Sequence, residues 1–474
     1  MNTKDKSRDA AATRAGLVGI LAVAATAGLC GGASPTAAQT AAPLTAEPAA
    51  PVPEKPTAAA APAGFWDTFK LTGQLEVGAT FNPRQPDDGV NFGHLFTDKS
   101  NRVLLNQALI TAERPVDPKA TGFDFGFKVQ GMYGSDARYT HFLGELDTDI
   151  SDTNQLDIVE ANVVAHLPVL TEGGIDVKAG QYPTPIGAEV IDPKGNFLYS
   201  HSYIFNYGIP LKHTGILTTT HLNDMFDLYL SVDSGVNTSL GDGDNNGAPA
   251  FLGGVGVNLM DGKLTILGLT HIGPELPSNA GLPFNANHSM RFINDIVVTA
   301  KLWDDLTLIT ELNYLQDNLA LNANGNRGLK SWGVAQYGIY NLTDQLALVA
   351  RGELFDDISG NVVASFVGNR DFVNAEYGRT ALLDPRDRVS GTNLDAGIVG
   401  RHTLYSSLTL GVNYKPPVPE RLEGLVIRPE IRFDQALNST KPFDGRNTAG
   451  GGTAGTSNHQ LTFGIDFVVP FSLF

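Results

Sequence analysis

The stretch KAGQYPTPIGAEVIDPKGNFLYSHSYIFNYGIPLKHTGI, residues 178–216, is the most informative part of the chain. One strand-like run ends at Tyr182 and the next begins near Lys212. The segment between them is rich in glycine, which permits unusual backbone angles, and in proline, which removes ladder donors and fixes φ. It is also crowded with aromatic and aliphatic residues, whereas a solvated loop would be polar. Since long loops inside a compact body are usually functional, we expect residues 183–211 to pack inside a barrel.

Period-two alternation of apolar and polar residues recurs from Phe69 to the C-terminus. Alternation over about ten residues marks a strand with one apolar and one polar face. The run from Arg102 to Arg114 alternates poorly, so we assign no faces to it. The clearest alternating runs are residues 123–130, 226–233, 404–414 and 461–473.

The links between the strand-like segments alternate between short and long. Short turns on one rim and long loops on the other are typical of outer-membrane barrels, whereas a soluble sandwich shares only the alternation. An even strand count places both termini on the short-turn rim, and sixteen to eighteen strands leave an aqueous channel. The sequence therefore predicts an all-β protein in which residues 65–474 form a transmembrane antiparallel β-barrel of about 16 strands, with short periplasmic turns and long extracellular loops.

The N-terminal residues have the pattern of a secretory signal peptide. Basic residues and a small-residue apolar segment precede a small-x-small cleavage site that ends at Ala38, which predicts a signal peptide over residues 1–38. Residues 39–64 are rich in alanine and proline, which predicts an extended periplasmic linker. Cys30 is the only cysteine, so no disulfide or thiolate metal site is expected in the mature chain.

Composition and charge exclude several functions. The chain carries a formal net charge of −17, whereas nucleic-acid binding requires a basic surface. Beyond the signal peptide no stretch of about 20 apolar residues predicts a transmembrane helix, although barrels hide their apolar surface in alternate residues. The motif at residues 242–247 begins like a calcium loop, but its twelfth position is Gly253 instead of the required glutamate. The sequence thus predicts no cofactor and no metal site.

One candidate for catalysis is present in the sequence. His201, with Ser200 or Ser202, is the only dense pairing of a base with a nucleophile. Neighbours in sequence rarely have the geometry that catalysis needs, and no G-x-S-x-G or H-E-x-x-H motif is present. We therefore expect no enzymatic activity and no catalytic residue.

Residues 178–216 resemble the signature region of the OmpL-like β-barrel porin family. The matching elements are KAGQYPTPIGAE, NFLYSHSYIFNYGIP and the H-T-G at His213 to Gly215, and the rest of the barrel matches only as a pattern of strands. The resemblance implies a porin in the outer membrane of a Gram-negative bacterium, but it implies little about which solutes pass. By analogy with porins it also implies a homotrimer, surrounded by lipid and lipopolysaccharide and inserted by the barrel assembly machinery.

General porins fold their third long loop inward to narrow the channel, and residues 183–211 are the third long loop here. Its charged candidates at the constriction are Glu189, Asp192 and Lys194. Glu189 would instead pair with His213 or a wall arginine if its role is structural. The aromatic candidates, which would offer stacking faces to sugar rings, are Tyr199, Tyr203 and Tyr207.

Charged residues on the polar faces of the strands are the candidates for the pore wall. If those faces line the lumen, charges of both signs create a transverse field that selects small hydrophilic solutes. Alternatively, inward charges pair with one another across strands. Arg291 and Asp295 are expected to lie together on one strand. The full set is Asp124, Lys128, Arg291, Asp295, Arg351, Glu353, Arg428, Glu430, Arg432 and Asp466.

The sequence as a whole favours an outer-membrane porin for passive diffusion of small hydrophilic solutes, with residues 183–211 narrowing the pore. One alternative is a channel selective for sugars or carboxylates, which saturable flux would reveal. A second alternative is a non-conducting adhesin or structural barrel, for which the loop at residues 356–401 is long enough.

Overall fold

The computed structural model describes residues 65–86, 89–117, 122–142, 145–146, 153–276, 278, 286–318, 328–363, 401–419, 422, 424–443, 446–447 and 453–472. The predicted signal peptide 1–38, the predicted linker 39–64 and most of the loop at residues 356–401 lie outside the described residues.

Strands account for most of the described chain. Their bounds are β1 (Lys70–Phe81), β2 (Arg102–Arg114), β3 (Asp124–Gly134), β4 (Gln155–Leu167), β5 (Ile175–Pro183), β6 (Lys212–Asn223), β7 (Phe226–Asp233), β8 (Ala250–Leu259), β9 (Leu264–Pro274), β10 (Met290–Lys301), β11 (Leu306–Asp317), β12 (Lys330–Thr343), β13 (Leu346–Asp357), β14 (Thr403–Tyr414), β15 (Val426–Ala436), β16 (Arg446–Asn447), β17 (Thr453–Ala454) and β18 (His459–Ser472).

Strands β1 to β15 and β18 close into an antiparallel barrel of 16 strands. Each strand pairs with its neighbours in sequence, β15 pairs with β18, and β18 closes the ring by pairing with β1. The short strands β16 and β17 form a separate ribbon in the last long loop. The predicted fold class and strand count are therefore confirmed.

Helical structure in the described residues is limited to short turns. These are α1 (Ala137–Thr140), the 3₁₀ turns Phe65–Thr68, Pro193–Gly195, Gly241–Gly243 and Ala286–His288, and the π-helical turn Ile204–Gly208. Within the same residues, no helix has the length and apolar character needed to cross a membrane.

The strands present one apolar face outward and one more polar face to the lumen. On β3, the outward Phe125 and Val129 are 39% and 50% exposed, whereas the inward Gln130 is buried. The outward apolar residues of β18, Phe463, Ile465 and Phe467, are likewise exposed. This is the arrangement that a barrel in lipid requires, because its apolar band faces acyl chains and its polar band faces water.

A β-bulge explains why residues 102–114 alternate poorly. Glu76 of β1 pairs with Gln107 of β2, but the next residue, Val77, pairs with Leu105, so Asn106 is an extra residue in the ladder. An extra residue shifts the side-chain parity by one. Asn106 and Gln107 are consequently both buried inside the barrel, where a regular strand would have placed only one of them.

The two rims of the barrel differ in the length of their connections. Tight turns join β6 to β7 and β8 to β9, whereas residues 183–211 separate β5 from β6. Lys70 pairs with Glu113, and Thr72 pairs with Ser472, so both ends of the barrel sequence lie at the rim of the short turns.

Candidate pore and the loop that occupies it

Residues 183–211, here called the third loop, lie inside the barrel against the inward faces of its strands. Wall glycines make room for the large side chains of the loop. A Cβ atom at Gly78 of β1 would overlap the Tyr199 ring, and one at Gly411 of β14 would overlap Leu198. The loop therefore follows the inner wall.

Carboxylates of the wall accept hydrogen bonds from backbone amides of the third loop. The loop has little regular structure, so its amides lack the partners that a strand or helix supplies, and buried amides need partners. The amides of Tyr199 and Ser200 donate to Glu430 at 2.9 and 3.1 Å, that of Tyr203 donates to Glu353 at 2.7 Å, and that of Ala188 donates to Glu311 at 3.0 Å.

Three wall arginines, Arg351, Arg428 and Arg432, complete this anchoring by donating to loop carbonyls, and we call them the anchoring arginines. Because a guanidinium has five N–H donors in a fixed geometry, one side chain can bridge a carboxylate and the loop backbone. The acceptors are the carbonyls of Pro193 and Asn196 for Arg428, both at 2.8 Å, of Ser200 for Arg351 at 2.6 Å, and of His201 for Arg432 at 2.5 Å.

Each anchoring arginine also pairs with a carboxylate of the wall. Arg351 contacts Glu353 at 2.8 Å, Arg432 contacts Asp434 at 2.8 Å, and Arg428 contacts Asp466 at 3.0 Å and Glu76 at 3.1 Å. These inward charges are therefore paired across or along strands, as the second interpretation of the wall charges anticipated. The anchoring arginines and their carboxylates therefore bind the third loop and one another.

Glu189 lies in the loop and is buried in an ion pair with the wall. Its Oε1 accepts from Arg351 at 2.7 Å and from the Tyr337 hydroxyl at 2.9 Å, and its Oε2 accepts from the Ser202 amide at 3.0 Å. Burial alone would raise the pKa of Glu189, but Arg351, His201 and the Ser202 amide together outweigh burial and lower the pKa to about 2. Of the two expected partners, the wall arginine is present and His213 is not, because His213 lies beside Asp233.

The histidine considered for catalysis is a packing residue of the loop. His201 hydrogen-bonds through Nδ1 to Glu189 at 2.8 Å and stacks on Phe205 with ring centroids 4.1 Å apart. The Ser202 hydroxyl accepts from the Phe205 amide at 3.0 Å, and the Ser200 hydroxyl accepts from Arg351 at 3.3 Å.

The prediction that tyrosines of the third loop offer stacking faces to sugars is wrong. Tyr199, Tyr203 and Tyr207 are all buried. The Tyr203 ring stacks on Tyr405 at 5.1 Å and on Phe355 at 5.9 Å, so wall aromatics occupy its faces. The reason is that the third loop lies against the barrel wall, and an apolar loop in that position buries the faces of its aromatic rings against the wall.

Two of the charged candidates lie on the more accessible part of the loop. Asp192 is half-buried and caps the 3₁₀ turn at residues 193–195, where it accepts from the Lys194 amide at 3.0 Å. The Gln74 side chain of β1 donates to the same carboxylate oxygen at 3.0 Å. Lys194 itself is exposed.

The wall on the other side of Asp192 carries its own accessible charges. Lys128 of β3 pairs with Glu160 of β4 at 2.8 Å, and the Lys128 side chain is 30% exposed. The half-buried Lys178 of β5 lies close enough to interact electrostatically with Glu160. Lys128 and Asp192 also interact electrostatically. Charges of both signs therefore meet in this part of the lumen.

The remaining wall candidates lie elsewhere. Arg291 and Asp295 lie on one strand, β10, as expected. Arg291 pairs at 3.1 Å with Asp317, the residue opposite it on β11. Asp295 is buried and accepts from Asn313 at 3.0 Å. Asp124 pairs with Arg114 at 2.7 Å beside the short β2–β3 turn.

Several side chains that hold the loop were missed from the sequence. Asn106 and Gln107 were hidden by the bulge, and Glu311 lies on a strand whose inward face also carries apolar residues. Glu160 and Lys178 were detectable, because a charged residue in the middle of a lipid-facing strand has to point inward.

The barrel of 16 strands, the inward loop and the paired wall charges together define a porin-type β-barrel. Residues 68–471 match the family described as "Putative beta-barrel porin-2, OmpL-like". Because the match covers most of the chain, the protein belongs to this β-barrel porin family, as the resemblance of residues 178–216 implied.

Solved structures of outer-membrane proteins share the fold. The chain is similar to the outer membrane channel DcaP of Acinetobacter baumannii, with 14% identity, a TM-score of 0.50 and coverage of 85% of this chain and 97% of that one. The anion-selective porin from Comamonas acidovorans has 11% identity and a TM-score of 0.49, covering 85% of this chain and 99% of that one. At these identities the likeness concerns the fold alone. No functionally curated protein matches the chain.

Proposed function

We propose that the protein is a porin of the outer membrane of a Gram-negative bacterium and lets small hydrophilic solutes diffuse passively, without catalysis. We further propose that the third loop narrows the water path. By analogy with porins, the proposed assembly is a homotrimer, and the proposed partners are the surrounding lipid and lipopolysaccharide and the machinery that inserts barrels.

The observation that carries the proposal is the one-sided attachment of the third loop. At its two ends the loop stays beside β6 and β7, where Thr184 hydrogen-bonds to His213 and Leu211 to Asn237. Between these ends, its hydrogen bonds and packing contacts join it to nine strands that are contiguous in the barrel: β10 to β15, β18, β1 and β2. A barrel of 16 strands is wide enough for an aqueous channel. A loop held to one arc leaves the water path between itself and the opposite arc, strands β3 to β9.

In this proposal the narrowest part lies between the accessible charges of the loop and those of the opposite arc. The loop contributes Asp192 and Lys194, and the opposite arc contributes Lys178 and Lys128, which is paired with the buried Glu160. Charges of both signs across a narrow path favour hydrated polar solutes over apolar ones. The buried tyrosines give no support to sugar stacking, so we favour a general pore over the sugar-selective alternative.

Two measurements on purified protein test this function. In liposomes, flux of uncharged sugars should rise linearly with concentration and fall with solute size; saturable flux would favour the substrate-selective alternative instead. In planar bilayers, Lys128→Glu should shift the reversal potential toward cation selectivity, because it removes a positive charge from the narrow path. Lys415→Glu, at an exposed position beside the short turn after β14, is the control and should leave the potential unchanged. A folded barrel that passes neither sugars nor ions would contradict the proposal.

A further inference from the structure

Three buried side chains that no other part of the proposed function uses converge near the start of β6. His213 lies at the start of β6, Asp233 ends β7, and His271 lies near the end of β9. All three are buried, and one potential ligand atom from each lies within 4.8 Å of the others. The cluster brings together two imidazoles and one carboxylate.

The spacing of these atoms suits a tetrahedral metal ion. His271 Nε2 lies 3.0 Å from Asp233 Oδ1, and His213 Nδ1 lies 3.6 Å from the same oxygen. Ligand atoms about 2.0–2.1 Å from a tetrahedral zinc ion are about 3.3 Å from one another. The two distances to Asp233 therefore differ from tetrahedral spacing by only a few tenths of an ångström, and all three donor atoms lie within 4.8 Å of one another.

One of the three donors lacks a hydrogen-bond partner. His213 is 0% exposed, and among the described residues its Nδ1 has no hydrogen-bond partner. The 3.6 Å between this nitrogen and Asp233 is too long for a hydrogen bond. Buried polar atoms almost always have partners. Because Nδ1 of His213 has none and faces the Asp233 carboxylate, its position indicates a ligand between these two groups.

Outer partners hold His213 and Asp233 in place, as they do in metal sites. The second nitrogen of His213, Nε2, hydrogen-bonds to the Thr184 hydroxyl at 3.0 Å, and Nδ1 of His271 lies 4.0 Å from a carboxylate oxygen of Glu275. The Asp233 carboxylate accepts from the Gly235 amide at 3.0 Å and from the Ser231 hydroxyl at 3.2 Å. The His213 ring is thus oriented by a group on its far side, and Glu275 lies beside the far side of the His271 ring.

We propose that His213, Asp233 and His271 bind a divalent transition-metal ion, with Zn²⁺ as the ion that the donors fit best. Two imidazole nitrogens and one carboxylate oxygen suit Zn²⁺, whereas Ca²⁺ and Mg²⁺ prefer sites built of oxygen alone. The fourth position is open to water. Asp233 and Glu275 supply two negative charges that offset those of the cation.

Binding has defined consequences for the protons and for the loop. To bind the ion through Nε2, a neutral His271 must carry its proton on Nδ1, which faces Glu275, so binding changes the tautomer of this ring and releases no proton from it. His213 follows the third loop after a single intervening residue, Lys212. The ion would therefore tie the C-terminal end of the third loop to β7 and β9, on the arc opposite the anchoring arginines.

The test measures zinc retained by the full-length protein, purified as a folded barrel. The protein is refolded with equimolar ZnSO₄, passed through a chelating column and analysed for zinc. We expect about one zinc ion per chain for the wild type, and none for the double variant His213→Gln/His271→Gln. Thr184→Val removes the outer partner of His213, together with the acceptor of the Ile186 amide, and should weaken affinity for Zn²⁺ about 10-fold. His94→Gln is the matched control, since His94 is equally buried and hydrogen-bonds to Asp434 at 2.8 Å; it should retain zinc like the wild type.

A second measurement needs no variant and so does not depend on whether a variant folds. Co²⁺ bound by the wild type should give the intense visible absorption of tetrahedral coordination. A wild type that retains no zinc, a folded double variant that retains as much as the wild type, or the weak spectrum of octahedral Co²⁺ would each overturn the proposal. None of these results depends on conductance, so the metal site and the porin function are tested separately.

Discussion

Arg351 lies fully buried in the wall of the lumen and contacts groups of the third loop and of its own strand. Its guanidinium donates to Glu189 and the Ser200 carbonyl in the third loop and to Glu353 on its own strand. A buried ion pair that loses one partner leaves an uncompensated charge, which is strongly unfavourable. Residues of this kind therefore determine how firmly the loop is held.

We expect Arg351→Met to lower the free energy of unfolding by about 3–5 kcal/mol, because two buried carboxylates lose their counter-ion and a carbonyl loses its donor. Urea titration of the barrel in detergent, followed by tryptophan fluorescence, measures the change. Arg102→Met, at an exposed position on β2, is the control and should change this free energy by less than about 0.5 kcal/mol. Equal losses in the two variants would contradict the anchoring role of Arg351.

The ionisation of Glu189 should make the stability of the barrel depend on pH. Its pKa is about 2 in the folded state and about 4.3 when unfolded, so the folded state holds the ionised form more strongly. The ionised Glu189 therefore contributes roughly 3 kcal/mol to the free energy of unfolding. This stabilisation is fully present above about pH 5 and is lost as pH falls through 2.

The wild type should accordingly exceed Glu189→Gln in stability at pH 7 by roughly 3 kcal/mol, and the difference should shrink steadily toward pH 2. Urea titrations of both proteins across this range supply the comparison. A difference that stays constant with pH would show that the carboxylate does not carry the effect.

At the scale of elements, the third loop fits its wall because small residues stand where large ones approach. Gly78 on β1 and Gly464 on β18 both face the Tyr199 ring, and Gly333 on β12 faces Ile204. The loop therefore needs specific gaps in the wall as well as hydrogen bonds.

We predict that Gly78→Ala displaces Tyr199 from the wall, costs about 1–3 kcal/mol of stability as overpacked sites do, and alters single-channel conductance. Gly352→Ala on β13 is the matched control, because a Cβ atom there would meet nothing within 4 Å. Unfolding titrations and bilayer recordings of both variants give the readout. Unchanged conductance and stability in Gly78→Ala would mean that the loop does not depend on this fit.

The inward position of the third loop could be predicted from its apolar composition, but its attachments could not. The amide of Tyr199 and the carboxylate of Glu430 are separated by 231 positions in the chain. Nothing local in the sequence indicates such a pair. The bulge in β2 likewise needs the register of β1, which places Asn106 and Gln107 together inside the barrel.

At the scale of the whole molecule, the fold could be predicted well, because the alternation that lipid imposes on a barrel repeats in strand after strand. The parity of a strand tells which residues face the lumen but not which of them meet there. For this reason the sequence placed Arg291 and Asp295 on one strand without indicating that Arg291 pairs with Asp317 of the next strand. It also gave no sign that His213, Asp233 and His271 converge. The signal peptide and the linker stay predictions, because they lie outside the described residues.

The most direct test of whether the third loop narrows an open pore is a comparison of single-channel conductance. It compares the wild type with a variant in which residues 187–208 are replaced by a short glycine–serine link. The wild type should show stable conductance, and the variant should show a larger one, because the segment held to the wall by Arg351, Arg428 and Arg432 is gone. Equal conductance in two correctly folded barrels would contradict the role of the loop as the constriction. A silent, folded wild type would contradict the porin function itself.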